Sequence, residues 1–241
     1  MPDLRSLPRT LIRGNPAKRV IFQLSFMEGK TIESQILKKV RCVIYDCDGV
    51  LFDSLEANGR LYRDVSASIG RPPLSQEELR YVHSHTVFEA IHHISMNDPE
   101  LEEKAKEALK QIDLKYYVRF LKMEPHLLET LSQLKKNGIL RAVNTNRTTS
   151  MKFIMEDFKL WPHFDMVVTA LDVKNPKPHP ESVEKILRAF QLNREEAVFI
   201  GDSEVDQQAA EASGVRFIAY KNREIANEFL IEDHLDLLKI V

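Results

Sequence analysis

Apolar residues along the chain fall into short unbroken runs: Val43-Ile44-Tyr45, Ile139 to Val143, Met166 to Thr169, Ala197 to Ile200 and Val215 to Tyr220. Each is too short for a stable helix and is bounded by charged or turn-forming residues, which is the pattern of a strand buried on both faces. Between the later runs the spacing changes to that of helices. Leu127, Leu128, Leu131 and Leu134 follow Pro125 on one stripe that stops at Asn137-Gly138, as an amphipathic helix with a glycine terminus does. Ser150 to Phe158 and Glu181 to Phe190 repeat the helical pattern, the latter after a proline-rich loop, Asn175-Pro176-Lys177-Pro178-His179-Pro180. Strands alternating with helices predict an α/β fold with a doubly wound parallel sheet.

One region breaks that alternation. From Leu55 onward about seventy residues carry no strand pattern and several helix signals. Leu55 to Ile69 is a helix ended by Gly70, Pro72-Pro73 interrupts the chain, and Ser75-Gln76-Glu77-Glu78 has capping-box spacing. Val87, Ile91 and Ile94 recur at helical intervals, and Asp98-Pro99 opens a charged helix through Leu109. The expected organisation is therefore a basic extension at 1–39, a core formed by 40–54 and 123–241, and an inserted α-helical module at 55–122. The extension holds Arg5, Arg9, Arg13, Lys18 and Arg19 among Pro2, Pro8, Gly14 and Pro16, a composition expected of a loosely packed tail. Within it, Val20 to Phe26 has strand composition, and Met27 is an alternative start.

Composition narrows the function classes. With 241 residues, 43% of them hydrophobic, the chain can bury a sizeable core. A formal charge of -2, from 34 Lys+Arg against 36 Asp+Glu, gives no global reason to expect nucleic acid or an anionic membrane as partner. Cys42 and Cys47 are separated by roughly 16 Å in an extended stretch, beyond disulfide reach, and unpaired thiols favour a reducing compartment. No run approaches the roughly 20 apolar residues that span a bilayer. A cytoplasmic protein, monomer or homodimer, is expected.

The chemistry sits at the strand ends. Burying unpaired carboxylates is costly, so Asp46-Cys47-Asp48-Gly49 at the end of a buried strand points to a cation or a reaction, and ligands of open α/β sheets bind at the strands' carboxyl ends. Three more polar motifs follow strands: Asn144-Thr145-Asn146-Arg147, the Lys177 loop, and Gly201-Asp202-Ser203-Glu204-Val205-Asp206. In this order they resemble the four motifs of the haloacid dehalogenase-like superfamily, over roughly Val40 to Tyr220. The resemblance implies a Rossmann-like core with a helical cap. It implies Asp46 as a nucleophile that forms an aspartyl-phosphate, and Asp48 as general acid and base. It further implies Thr145 as a phosphate-binding hydroxyl with Asn146 as an auxiliary donor, and Lys177 as the charge-balancing cation. Mg2+ would be held by Asp46, the Asp48 carbonyl and Asp202, with Asp206 in or next to the shell. Among branches the motifs look most like phosphoglycolate phosphatases, acting on a small phosphorylated metabolite. A phosphomutase like β-phosphoglucomutase is the nearest rival, although its motif commonly has Glu-Asp and lacks the last acid; a non-catalytic binding protein would normally have lost one of these residues.

The histidines His83, His85, His92 and His93 invite a zinc reading but lack the spacing and carboxylate support of such a site. His83 and His85 fall where caps of this family lower specificity residues onto the substrate, so they are candidates for binding an anionic tail.

Overall fold

A computed structural model describes residues 40–241; the extension before Val40, with the strand-like Val20 to Phe26, lies outside them. Six strands form one parallel sheet: β1 (Cys42–Tyr45), β4 (Leu140–Asn144), β5 (Met166–Val168), β6 (Ala197–Gly201), β7 (Arg216–Tyr220) and β8 (Phe229–Ile231), in the order β5-β4-β1-β6-β7-β8. In β1 all four residues are buried, because its partners β4 and β6 flank it in register and helices cover both faces. Each fully buried Val, Ile or Phe contributes about 1.5–3 kcal/mol. Strand order reverses direction at β1, and the crevice beyond the carboxyl ends at such a point is where ligands bind.

Alternation along the strands sorts the core into two layers. Cys42, Ile44, Phe199 and Phe217 join Val183 and Ile186 of α8 (Glu181–Phe190) and Ala209 and Ala210 of α9 (Glu204–Ser213) in one apolar cluster. Tyr45 and Tyr220 point the other way, against His234 of the short last helix α10 (His234–Leu237), which itself packs on α6 (Leu127–Lys136). The remaining core helix, α7 (Ser150–Asp157), follows the loop after β4. The glycine terminus expected at Asn137-Gly138 is present, with Gly138 at φ +73° supplying the left-handed exit.

The inserted region consists of α1 (Leu55–Ser68), α2 (Gln76–Ser84), α3 (Val87–Ile94), α4 (Pro99–Gln111) and α5 (Leu114–Val118). The capping box at Ser75 forms as its spacing predicts, Ser75 accepting from Glu78 N while Glu78 accepts from Ser75 N, and Asp98 caps α4. A second box, Thr86 with Glu89, starts α3. Tyr62, Leu79, Val82, Ala90 and Ile94 make a small apolar core among α1, α2 and α3. The chain enters and leaves this module through a two-stranded antiparallel ribbon, β2 (Phe52–Asp53) with β3 (Lys122–Met123). That ribbon and β8 have no counterpart in the predicted elements: two or three residues carry no periodicity. Among the described residues, no helix is long and apolar enough to cross a membrane.

Candidate active site

Asp46 continues the β1–β6 ladder one residue beyond β1, its N–H donating to Ile200 O at 2.9 Å. The chain then turns sharply: Leu51 and Phe52 N–H both donate to Cys47 O, and Gly49 N–H donates to Phe52 O. Gly49 has φ +71°, and a Cβ there would lie 1.9 Å from Asp202 Oδ2. The turn therefore needs glycine twice over, for its backbone angle and for the close approach of Asp202. Cys47 is fully buried inside this turn.

The motifs that follow β1, β4, β5 and β6 converge on Asp46. Lys177 is 3% exposed, with Nζ 2.6 Å from Asp46 Oδ1 and 2.6 Å from Asp206 Oδ1. Its loop, which includes a cis Lys177–Pro178 bond, is held by Asn146: the Asn146 Oδ1 accepts from Lys177 N at 3.0 Å and its Nδ2 donates to Lys177 O at 2.9 Å. Both ends of that amide serve the Lys177 backbone, so Asn146 braces the lysine loop, and its second Nδ2 hydrogen is not used by these two bonds. Asp206, fully buried, also closes the cap of α9 by accepting from Ser203 Oγ. Thr145 is buried at the end of β4, and its Oγ1 accepts from Arg147 N at 3.1 Å, which leaves its hydroxyl proton to donate elsewhere. It lies well before α7, whose cap position is Thr149.

Asp46, Asp202 and Asp206 each offer an oxygen within 4.8 Å of the others. Burial and the neighbouring Asp206 push the Asp46 carboxyl up to about 7 despite Lys177; burial and Asp46 push Asp202 up to about 8. Burial works against the Lys177 cation, but Asp206 and Asp46 outweigh it and raise its pKa. Four carboxylates, Asp48 included, face two cations, Lys177 and Arg147. Such a surplus of hard oxygen donors fits a small divalent cation, and without one it would repel a phosphate dianion.

Asp48 pairs with a different cation. Arg147 holds it in a fork, Nε to Oδ2 at 2.7 Å and Nη2 to Oδ1 at 2.6 Å. Burial alone would raise the Asp48 carboxyl, yet the Arg147 charge and hydrogen bonds prevail and bring it to about 2. Asn58 of α1 joins the pair: its Nδ2 is 3.3 Å from Asp48 Oδ1, and its Oδ1 accepts from Arg147 Nη2 at 3.2 Å. His83 of α2 extends the network, Nδ1 lying 3.4 Å from Asn58 Nδ2; burial lowers its imidazole pKa while Asp48 works the other way. His85 does something different. Its ring stacks on Tyr81 at 3.8 Å and its Nδ1 lies 2.8 Å from the Tyr81 carbonyl, so of the two candidate histidines His83 is the one hydrogen-bonded into the Asp48 network.

Three residues of the site have no role in the sequence reading. Arg147 had a visible signal, a cation directly after the Thr145-Asn146 strand end. Asn58 and His234 had none. His234 is fully buried and its Nε2 lies 2.9 Å from Val50 O in the turn after Asp48, while its ring stacks on Tyr220 at 4.7 Å.

Comparison with known proteins agrees with this geometry. The family model for haloacid dehalogenase-like hydrolases matches residues 43–220, a span holding all four motifs. A phosphoglycolate phosphatase of Pseudomonas aeruginosa is 28% identical, aligned over 82% of this chain and 78% of its own. The pyrophosphatase PpaX of Anoxybacillus flavithermus is 27% identical over 84% of this chain and 97% of its own. Among solved structures, a subfamily IA hydrolase of the same superfamily from Geobacter sulfurreducens superposes with a TM-score of 0.70 at 40% identity, covering 83% of this chain and 96% of that one. With its sheet order, its four strand-end motifs and this match, the chain belongs to the haloacid dehalogenase-like hydrolases.

Proposed function

We propose that the protein is a Mg2+-dependent phosphatase that hydrolyses a small phosphorylated metabolite through an aspartyl-phosphate on Asp46. The observation that carries this reading is the Asp46–Lys177–Asp206 triad at the strand ends with Asp202 against it. An Asp46 oxygen attacks phosphorus in line, and the bond to the leaving oxygen breaks. Asp48, ionised while Arg147 holds it, has to take up a proton from solvent as substrate binds; it gives that proton to the leaving oxygen, then takes one from the water that hydrolyses the acyl phosphate, a role worth roughly 10²- to 10⁴-fold in rate. Thr145 donates its hydroxyl to a phosphoryl oxygen, and Lys177 offsets the charge between nucleophile and phosphate. The Asp46 and Asp202 carboxylates and the Asp48 carbonyl would hold Mg2+, whose charge would draw the phosphate dianion into an otherwise anionic pocket. The helical module, joined by a two-stranded ribbon, would close over the substrate. The presence of Asp206 favours a phosphatase over a phosphomutase.

The test is phosphate release from a panel of phosphomonoesters with Mg2+ and with chelator. Release should require metal, and Asp46→Asn should lower it by at least about 10⁴-fold. Turnover that survives either change would end the reading.

A further inference from the structure

The three acids that meet at Asp46 are not held alike. Asp46 extends the β1–β6 ladder, and Asp206 sits inside the cap of α9 against Lys177. Asp202 lies one residue beyond the pairing of β6 with β7, which ends at Gly201 opposite Ala219. The N–H of Lys221, just past β7, is turned to β8, where it donates to Ile231 O at 2.9 Å. What continues the β6–β7 contact to Asp202 is a side chain: Asn222 Nδ2 donates to Asp202 O at 2.8 Å. The amide is fixed in that sense, because its Oδ1 accepts from Glu224 N at 3.1 Å. The chain on either side of Asn222 is held as well. Ile225 is buried in the apolar cluster that includes α8 and α9. Glu124 accepts from the Tyr220 hydroxyl and from Lys221 Nζ, while its own N–H donates to Leu51 O at 3.0 Å. Asn222 is therefore tied, through the end of β7, to the turn that follows Asp48. On its other side the Asp202 carboxylate lies against Gly49, where any Cβ would collide with it.

We infer that Asn222 is a positioning residue that sets which cation the site accepts: by clamping the Asp202 main chain it keeps that carboxylate within 4.8 Å of the Asp46 and Asp206 oxygens and makes the cluster selective for a small ion. Mg2+ demands near-ideal octahedral geometry at about 2.0–2.1 Å, whereas Ca2+ takes more oxygens at about 2.3–2.6 Å in flexible arrangements. A carboxylate fixed between Gly49 and Asn222 suits the first ion. One whose main chain can drift suits the second at least as well. Asn222 is neutral, so its loss changes the geometry of the site and not its charge. Residues that orient a metal ligand from behind change affinity by about 10- to 100-fold, and a contact made through the main chain belongs at the lower end. The inference rests on the reading that Asp202 ligates a divalent cation. It concerns binding, so it is measured without turnover.

The experiment is calorimetric titration of the full-length, metal-free protein with Mg2+ and, separately, with Ca2+. Asn222→Ala should weaken Mg2+ binding about 10-fold while leaving Ca2+ binding within about 2-fold of wild type. Asn222→Asp keeps an acceptor for Glu224 N but has no donor for Asp202 O. Its added charge favours both ions, so a Mg2+-to-Ca2+ affinity ratio lowered about 10-fold reports the lost donor. It serves as the second reading if Asn222→Ala does not fold. A wild-type ratio kept in either variant overturns the inference, and so does an equal loss of both ions, which would reduce Asn222 to a support of the fold. Asp202→Asn tests the reading underneath and should abolish saturable Mg2+ binding. A wild type that binds neither ion, or an Asp202→Asn that binds Mg2+ as wild type does, ends the metal reading and the inference with it. Binding lost in Asp202→Asn with the ratio unmoved in the Asn222 variants ends the inference alone.

Discussion

The two ends of the site are built by different means. At the Lys177 end, Asp46, Lys177, Asp202 and Asp206 come from strand termini and loops anchored in one sheet, and the lysine and two of the acids are almost wholly buried. At the Arg147 end, Asp48 and Arg147 come from the sheet while Asn58 and His83 come from helices joined to it by a short two-stranded ribbon. The first end is fixed by the backbone ladder. The second is assembled across a seam, from side chains carried on separate elements and tied by hydrogen bonds.

Removing the central cation should show the largest contrast. Lys177→Met leaves Asp46 and Asp206 buried without their cation, and breaking a buried pair in this way costs about 3–5 kcal/mol. Urea unfolding should register the loss, and activity should fall with it. A change under 1 kcal/mol would mean that the Lys177 end is less tightly built than its distances indicate.

Next is the pH dependence of the chelated protein. Asp46 at about 7 and Asp202 at about 8 bind protons in the folded state that the unfolded chain, with ordinary aspartates, has released. Their contribution is full below about pH 4 and is lost as pH rises through 7 to 8. His234, which burial lowers to about 4, acts with the opposite sign, but only below the ordinary histidine pKa of about 6.5. Between pH 6.5 and 8 the melting temperature should therefore fall without metal and stay nearly level with Mg2+. A rise in the chelated protein over that window would contradict the charge surplus.

The smallest effect belongs to the seam. Asn58→Ala removes hydrogen bonds from a half-buried network, and thermal unfolding should register about 1 kcal/mol. A loss as large as that of Lys177→Met would erase the distinction between the two ends.

The same division decides what was legible in the sequence. The five main strands, the helices α6, α7 and α8 and the residues Asp46, Thr145, Lys177, Asp202 and Asp206 are visible because buried strands write themselves as apolar runs and the polar residues after them mark their ends. Asn146 was visible as a site residue but not as a brace, since its role depends on a loop 31 residues away. His83 and His85 share one sequence neighbourhood, yet only the fold separates a ring that meets Asn58 from one stacked on Tyr81. The β2–β3 ribbon and β8 are too short for periodicity to register, and Asn58 looks like any polar residue of a helix.

The hydrogen bond from His234 to Val50 joins residues 184 positions apart. In the order of synthesis, the turn that carries Asp48 leaves the ribosome long before the histidine that pins it, about 10 to 40 s at common elongation rates. A nascent chain already holding Asp46, Asp48, Thr145, Lys177, Asp202 and Asp206 still lacks that pin. Ending the chain ahead of α10 would keep every catalytic motif in the sequence and release the turn on which the first of them depends.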